Sequence, residues 1–369
     1  MKKALFLTNI PVPYRMDFFN ELGKYVDLTV VFERTHAKTR EDSWLESECK
    51  NFQGIFMKGI PVGDDCAFCP EIISIIKNGK YDIIIVGAYY TPTGMMAIEY
   101  MKTHHIPYGF SGDGGFIKDD TKIKYQIKTH LQKNGRFYFS PSQYADRVVE
   151  HYGADENVVY RYPFTSLDDK DILCVPPSRS EKDALKIELG INEEKVVLGV
   201  GRLVGFKAWE YLPIMAKQLG KNVGVYLIGG NPSGSCYEKT FATCNEPNFH
   251  VVDFKKKEEL WKWYKAADVL TFPTRGDVWG LVVNEALACG LPVVTTTKCV
   301  SGVELIKNSQ NGYIVDVDDL DAMMDKILDV LEQDDESYNV MQNHALETIR
   351  PYTIHNMARA YAAVIKNKL

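Results

Sequence analysis

The chain has 369 residues, a formal net charge of −6, 45% hydrophobic residues and 25% charged ones, an ordinary composition for a soluble globular protein. That length favours two domains over a single core, and the acidic balance argues against a general nucleic-acid binder. No apolar run approaches the roughly 20 residues that span a bilayer. Met1-Lys2-Lys3-Ala4-Leu5-Phe6-Leu7 superficially resembles a signal-peptide start, but the apolar run stops at Thr8-Asn9 and Pro11, Pro13 and Arg15 follow. It reads better as a first strand, and a cytoplasmic protein is expected. The eight cysteines have no framework spacing, so free thiols are expected, and the lone pair Cys66 and Cys69 is read as chance or packing.

In chain order, apolar strands are predicted at 2–8, 28–32, 83–86, 108–111, 137–140 and 158–160. Helices are predicted at 16–25, 93–104, 122–134 and 143–152. Strands alternating with helices imply a parallel sheet covered on both faces. Residues 163–180 break the pattern with Asp168, Asp169, Asp171 and Pro176-Pro177, and are the best linker candidate. Beyond them the alternation restarts, with strands at 195–200, 223–228, 249–252, 269–272, 292–295 and 312–315. Helices follow at 181–189, 208–219, 257–266, 320–331 and 354–368. The fold class is therefore α/β, with two doubly wound domains. Ligands of such sheets bind beyond the carboxyl ends of the strands.

Two loops in the second half carry candidate chemistry. In the stretch from Thr271 to Thr296, Asp277 and Glu285 lie eight residues apart across a turn and a helix. Gly276 and Gly280 flank Val278-Trp279, where that helix is expected to begin. A helix start offers unpaired N–H groups and a positive dipole end that suit a phosphate. Taken singly, Glu285 reads as an exposed helix acid and Asp277 as a helix cap; jointly they suggest a sugar nucleotide. The second loop, Gly199-Val200-Gly201-Arg202-Leu203-Val204-Gly205-Phe206-Lys207, follows a strand and places Arg202 and Lys207 five residues apart. Such a pair suits a diphosphate, although a solvated Arg and Lys would look the same. As a dinucleotide fingerprint the loop fails, because no acid ends the next strand, at Ile228-Gly229-Gly230-Asn231.

Asp277 to Glu285, followed by Ala286-Leu287-Ala288-Cys289-Gly290-Leu291-Pro292-Val293-Val294, resembles the E-x7-E region of glycosyltransferase family 4, retaining enzymes of GT-B fold (glycosyl transferases group 1). Gly201-Arg202-Leu203 with Lys207 resembles that family's phosphate loop. The segment 262–273 and Glu304, Asn311 and Gly312 continue the likeness. Phe139-Ser140-Pro141-Ser142 with Gly153 resembles, more loosely, the family's last N-terminal strand and helix. The resemblance implies a GT-B fold, two Rossmann-like domains facing a cleft. Residues 1–165 would bind acceptor, 166–180 would link, 181–350 would bind the nucleotide sugar, and the helix in 351–369 would pack back on the first domain.

The same resemblance implies a retaining hexosyltransferase that uses a UDP- or GDP-linked sugar as substrate, with no cofactor and no essential metal. Arg202 and Lys207 would hold the diphosphate, Glu285 the ribose hydroxyls, and Gly201 with Gly280, Leu281 and Val282 the phosphate or nucleoside. Asp277 stands where the family has its first glutamate, one methylene shorter, against the transferred sugar. Where the family places a histidine, this chain has Ser111-Gly112-Asp113-Gly114-Gly115, so Asp113 is either a catalytic contact or a turn residue. Tyr14, Arg15, Tyr89 and Tyr90 would meet the acceptor, a sugar or lipid-linked sugar of cell-surface polysaccharide (capsule, O-antigen or exopolysaccharide), or would simply pack. A GT-B sugar-nucleotide epimerase and a noncatalytic sugar-nucleotide-binding subunit are the alternatives.

The D-x-D matches at Asp169-x-Asp171, Asp316-x-Asp318 and Asp319-x-Asp321 lie in the linker or before a helix, where capping accounts for them, and no metal site is assigned. Ile123, Ile127 and Leu131 form a helical stripe beside Lys122, Lys124, Lys128 and Lys133. The stripe is read as the sheet-facing side of an ordinary helix. The lysines are left as solvated charges or as a peripheral contact with the inner face of the plasma membrane through 122–133.

Overall fold

The computed structural model describes residues 1–35 and 48–367. It forms two compact units, Met1–Ser166 with Tyr352–Leu369, and Leu167–Pro351. Among the described residues, the strands of the first unit are β1 (Lys3–Thr8), β2 (Asp27–Phe32), β3 (Gln53–Phe56), β4 (Ile60–Val62), β5 (Cys66–Phe68), β6 (Ile83–Val86), β7 (Gly109–Ser111), β8 (Tyr138–Ser140) and β9 (Val159–Arg161). Seven of them make one parallel sheet in the order β3-β2-β1-β6-β7-β8-β9, and β4-β5 is a separate hairpin. The second unit holds β10 (Lys195–Val200), β11 (Val223–Ile228), β12 (Phe249–Val252), β13 (Val269–Phe272), β14 (Val293–Thr296) and β15 (Gly312–Val315), all parallel, ordered β12-β11-β10-β13-β14-β15. Fully buried runs such as Ile83-Ile84-Ile85-Val86 explain why these strands read as continuously apolar.

Each sheet reverses its winding once, between β1 and β6 and between β10 and β13. The loops after those strands flank a crevice at the carboxyl edge, where ligands of doubly wound sheets bind. All four of those loops carry residues picked out from sequence: Tyr14 and Arg15 after β1, Tyr89 and Tyr90 after β6, Arg202 and Lys207 after β10, and Asp277 after β13.

Several elements differ from the sequence reading. The helix expected at 16–25 is Pro13–Leu22, because Pro13 at the first helical position already has the φ a helix needs. The helix expected from 208 is Tyr211–Leu219; Gly205–Lys207 forms a 3-10 turn and Ala208 is left-handed at φ 56°. The hairpin and the helices Ile72–Gly79, Val300–Leu305 and Asp335–Ile349 carry too little periodicity or length to have been read. The last helix runs Ile354–Asn367, residue 368 lying outside the described residues. Its Tyr361 is fully buried against Phe18, Phe139 and Tyr162 and bonds the Ser111 hydroxyl at 2.7 Å, so this helix is part of the first unit. Residues 167–178 lie on the second unit, where buried Asp171 accepts Lys257 Nζ at 2.5 Å and Leu173 N–H donates to Ala288 O.

The stripe on the helix Lys122–Gln132 is a correction. Leu131 is buried, but Ile123 is 70% and Ile127 48% exposed, so two of the three apolar residues face away from the sheet. The stripe is covered only at its C-terminal end, because Thr121 through Ile127 are all exposed and the first half of the helix stands clear of the core.

A buried acid braces the carboxyl edge of the first sheet. Glu33, just beyond β2, accepts the Ala67 N–H at 3.0 Å and bonds the Thr91 hydroxyl. Burial pushes its carboxyl up to about 7, against bonds from Ala67 and Thr91 that lower it. An acid raised in this way is protonated in the folded chain and ionised in the unfolded one between about 4.5 and 7. Stability therefore falls as pH rises through that window, and the full cost, about 3 kcal/mol, is present above it. Glu33→Gln keeps an acceptor oxygen for the Ala67 N–H and removes the charge, while the Thr91 hydroxyl still has the Ala88 carbonyl, 2.9 Å away, to donate to. It is expected to raise Tm at pH 8 and to leave Tm unchanged at pH 4, as read by thermal melts.

Candidate active site

The second unit's crevice is built around Phe272, the buried last residue of β13. Its ring lies 3.3 Å from where a Cβ on Gly280 would stand and 4.0 Å from that of Gly201, so both glycines sit against the same aromatic ring. Gly280 precedes the helix Leu281–Ala288 with φ 99°, and a side chain there would also meet Cys299 Sγ at 2.8 Å. The helix thus begins three residues later than Val278. No side chain caps it, which leaves first-turn N–H groups at Leu281 and Val282 without a cap hydrogen bond.

Lys207 enters this crevice from the loop after β10. Its side chain is 11% exposed, its ammonium lies 4.4 Å from the Phe272 ring centroid, and it forms an ion pair with the Asp277 carboxylate. The two residues, read from sequence as separate contacts, are therefore partners. Asp277 does not cap the helix; its other oxygen accepts the Trp279 N–H at 3.3 Å in the turn before it. Trp209, fully buried, donates Nε1–H to Arg202 O at 3.0 Å and fixes the loop backbone. The Arg202 side chain itself is exposed and makes no ion pair among the described residues.

Arg275, which sequence reading passed over, ties the two loops together. It pairs with Glu210 at 2.6 Å and Asp318 at 2.7 Å, and its backbone N–H donates to Phe206 O. About one turn along the helix, half-buried Glu285 accepts the hydroxyl of fully buried Tyr264 at 2.8 Å. Glu285 is therefore positioned from beneath by a residue that no motif would have flagged.

In the first unit, Asp113, Arg15 and Tyr14 meet. Arg15 Nη2 pairs with Asp113 at 2.5 Å, and the Tyr14 hydroxyl lies 3.5 Å from the same oxygen. Burial works against the Arg15 charge, but Asp113 with the Tyr14 and Tyr162 phenols outweighs it and raises the guanidinium pKa. Asn9 joins Asp65 at 2.8 Å and Tyr90 at 3.4 Å beside them, a contact between residues far apart in sequence. Tyr90 is half exposed on this edge, whereas Tyr89 packs edge-on against Phe110 with Asp120, Lys128 and Tyr152 as its charged and polar neighbours. Tyr89 and Tyr90 thus part company.

The remaining candidates are structural. All eight cysteines are unpaired, and burial together with Asp65 pushes the Cys66 thiol up to about 12, away from thiolate chemistry. Asp319 caps the helix Leu320–Leu331 through the Ala322 N–H at 2.9 Å. Among the described residues, no group of three or more His, Cys, Asp or Glu side chains is placed to hold a metal ion. No helix among them is long and apolar enough to cross a membrane.

Residues 181–348 match the family model of Glycosyl transferases group 1. The D-inositol 3-phosphate glycosyltransferase of Corynebacterium efficiens is 28% identical over 218 residues, 56% of this chain and 50% of that protein. Its namesake in Xylanimonas cellulosilytica is 30% identical over 203 residues, 53% and 48% of the two chains. This chain thus spans about half the length of the curated relatives it matches. Anabaena HepE, solved in complex with UDP, superposes with a TM-score of 0.79 at 16% identity, covering 99% of this chain and 100% of that one. Sucrose-phosphate synthase from Thermosynechococcus elongatus superposes with 0.78 at 16% identity, covering 100% and 99%. The fold is accordingly the GT-B fold expected from sequence, and the match to Glycosyl transferases group 1 falls within the unit that carries Lys207, Asp277 and Glu285.

Proposed function

We propose that the chain is a retaining glycosyltransferase that moves a hexose from a UDP- or GDP-linked donor to a hydroxyl acceptor, in the assembly of cell-surface polysaccharide. The observation that carries this reading is the convergence of Gly201, Lys207 and Gly280 on Phe272 at the second sheet's switch point, with Asp277 paired to Lys207 there. The Glycosyl transferases group 1 match and the UDP held by HepE support it.

In this reading the diphosphate lies at the start of the helix Leu281–Ala288, where the N–H groups of Leu281 and Val282 and the helix dipole meet its charge. Lys207 and Arg202 stabilise the negative charge that grows on the leaving phosphate as the bond to the sugar breaks. Glu285 accepts from the ribose hydroxyls. Asp277 holds Lys207 in place and receives a sugar hydroxyl, which makes it the residue that sets donor sugar. The acceptor hydroxyl attacks the face that the phosphate leaves, and a phosphate oxygen takes its proton, so the anomeric configuration is kept. Arg15, Tyr14 and Tyr90 orient the acceptor beside Asp113, with Tyr89 supporting from the core.

The test is nucleotide release from a panel of UDP- and GDP-sugars, with and without acceptors that include D-inositol 3-phosphate and a lipid-linked sugar. Acceptor-dependent release from one donor class is expected. Acceptor-independent release would favour an epimerase, and binding without release a noncatalytic subunit; either outcome defeats the transferase reading.

A further inference from the structure

We infer that Asp65 selects the acceptor: it makes the carboxyl edge of the first sheet fit a neutral polyhydroxyl group, the unphosphorylated end of a saccharide, and turn away a phosphorylated one. The inference deepens the transferase reading above and rests on it. Asp65 stands in the turn between β4 and β5, a hairpin that no sequence motif marks. Its Oδ2 accepts Asn9 Nδ2 at 2.8 Å and its Oδ1 accepts the Cys66 thiol at 3.1 Å. Among the described residues it pairs with no cation. Asn9 Nδ2 also lies 3.4 Å from the Tyr90 hydroxyl. That phenol has Asp65, Cys66, Arg15 and Asp113 as its titratable neighbours, so the hairpin carboxylate and the Arg15–Asp113 pair border one site.

The hairpin is held in place by buried bonds. Ala67 N–H donates to Glu33 at 3.0 Å, Ala67 O accepts the Thr93 hydroxyl at 2.7 Å, and Cys69 N–H donates to Thr93 Oγ1 at 2.8 Å. Arg34 Nη1 fixes the turn itself, donating to Asp64 O at 3.0 Å and to Gly63 O at 3.4 Å. Asp65 is therefore a partly exposed acceptor whose position is set before any ligand arrives.

Charge decides which ligand suits it. Arg15, its side chain 11% exposed, is already paired with Asp113, and Arg34 follows the hairpin turn beside Asp64. Two cations thus face the three carboxylates Asp64, Asp65 and Asp113. A carboxylate takes hydroxyl protons in charge-assisted bonds, and neighbouring hydroxyls of a sugar suit its two oxygens. A phosphate monoester brings about two negative charges and meets a net negative edge that repels it. A site built to bond hydroxyls in this way discriminates by the groups it leaves unpaired or opposed when the wrong acceptor enters.

Steady-state nucleotide release by the full chain, with acceptor varied at saturating donor, tests the inference. The probes are matched pairs, myo-inositol with D-inositol 3-phosphate and methyl hexosides with their 6-phosphates, together with a lipid-linked sugar. The neutral member of each pair should have a kcat/KM at least about tenfold above its phosphorylated partner. Asp65→Asn should raise the KM of the best acceptor by roughly tenfold or more and leave UDP and GDP affinity unchanged. Asp65→Lys should narrow or invert the preference within each pair. If Asp65 only braced the hairpin, these variants would lower Tm and change both members of a pair alike. An unchanged ratio, an unchanged acceptor KM in Asp65→Asn, or a wild-type preference for the phosphorylated members overturns the inference alone. Release that depends on no acceptor defeats the transferase reading and the inference with it.

Discussion

Glu285→Ala is expected to weaken nucleotide binding by on the order of 100-fold or more, because two charge-assisted hydrogen bonds to the ribose are worth roughly 1.5–3 kcal/mol each. The structure adds a second consequence. Tyr264 is fully buried and donates its hydroxyl to Glu285, so alanine strands that hydroxyl and costs about 1–3 kcal/mol of stability. Glu285→Gln separates the two effects. It keeps an acceptor oxygen for Tyr264, so Tm should return close to wild type, while the lost charge should leave nucleotide affinity well below it. A glutamine variant that restores affinity fully would make Glu285 a structural partner of Tyr264 and nothing more.

Lys207→Ala should act on the chemical step. Removing one preorganised donor from developing negative charge costs on the order of 100- to 1000-fold in kcat. Lys207 is placed for that role by its ion pair with Asp277 and by the Phe272 ring beneath its ammonium. Alanine also leaves the Asp277 carboxylate without its cation, facing the position proposed for donor phosphate or sugar, which adds to the loss. Lys207→Arg keeps the charge but carries a planar fork in place of a compact ammonium, so it should rescue poorly. Steady-state kinetics with the preferred donor checks both variants. A raised KM with unchanged kcat would move Lys207 from transition-state stabilisation to uniform binding.

What could be read from the sequence depended on how locally each feature is encoded. The apolar runs 196–200 and 269–272 are buried on both sheet faces, so the strands and the loops after them were legible. So were the acids of the stretch from Thr271 to Thr296, whose spacing is contained in one turn and one helix. The pairing of Lys207 with Asp277 was not, because it joins loops 70 residues apart through a sheet order that no single motif states. The same holds for Asn9, Asp65 and Tyr90, and for Tyr264 beneath Glu285. The helix onset was misplaced because Val278-Trp279 looks helical in type, while Gly280 must first take a left-handed backbone to pass Cys299 and Ser301. The 122–132 helix was misread because a period of 3.6 residues marks an apolar stripe without stating how much of its length is packed: Leu131 is buried, while Ile123 and Ile127 on the same stripe are not.

Calorimetric titration of UDP and GDP into the wild-type and Glu285→Ala chains tests the central claim most directly. If the loops after β10 and β13 build a nucleotide-sugar site, one of the two nucleotides binds the wild-type chain with one-to-one stoichiometry, and the Glu285→Ala chain, folded by circular dichroism, binds it at least about 100-fold more weakly. Equal affinities for the two chains, or no binding of either nucleotide to the wild type, would contradict the assignment.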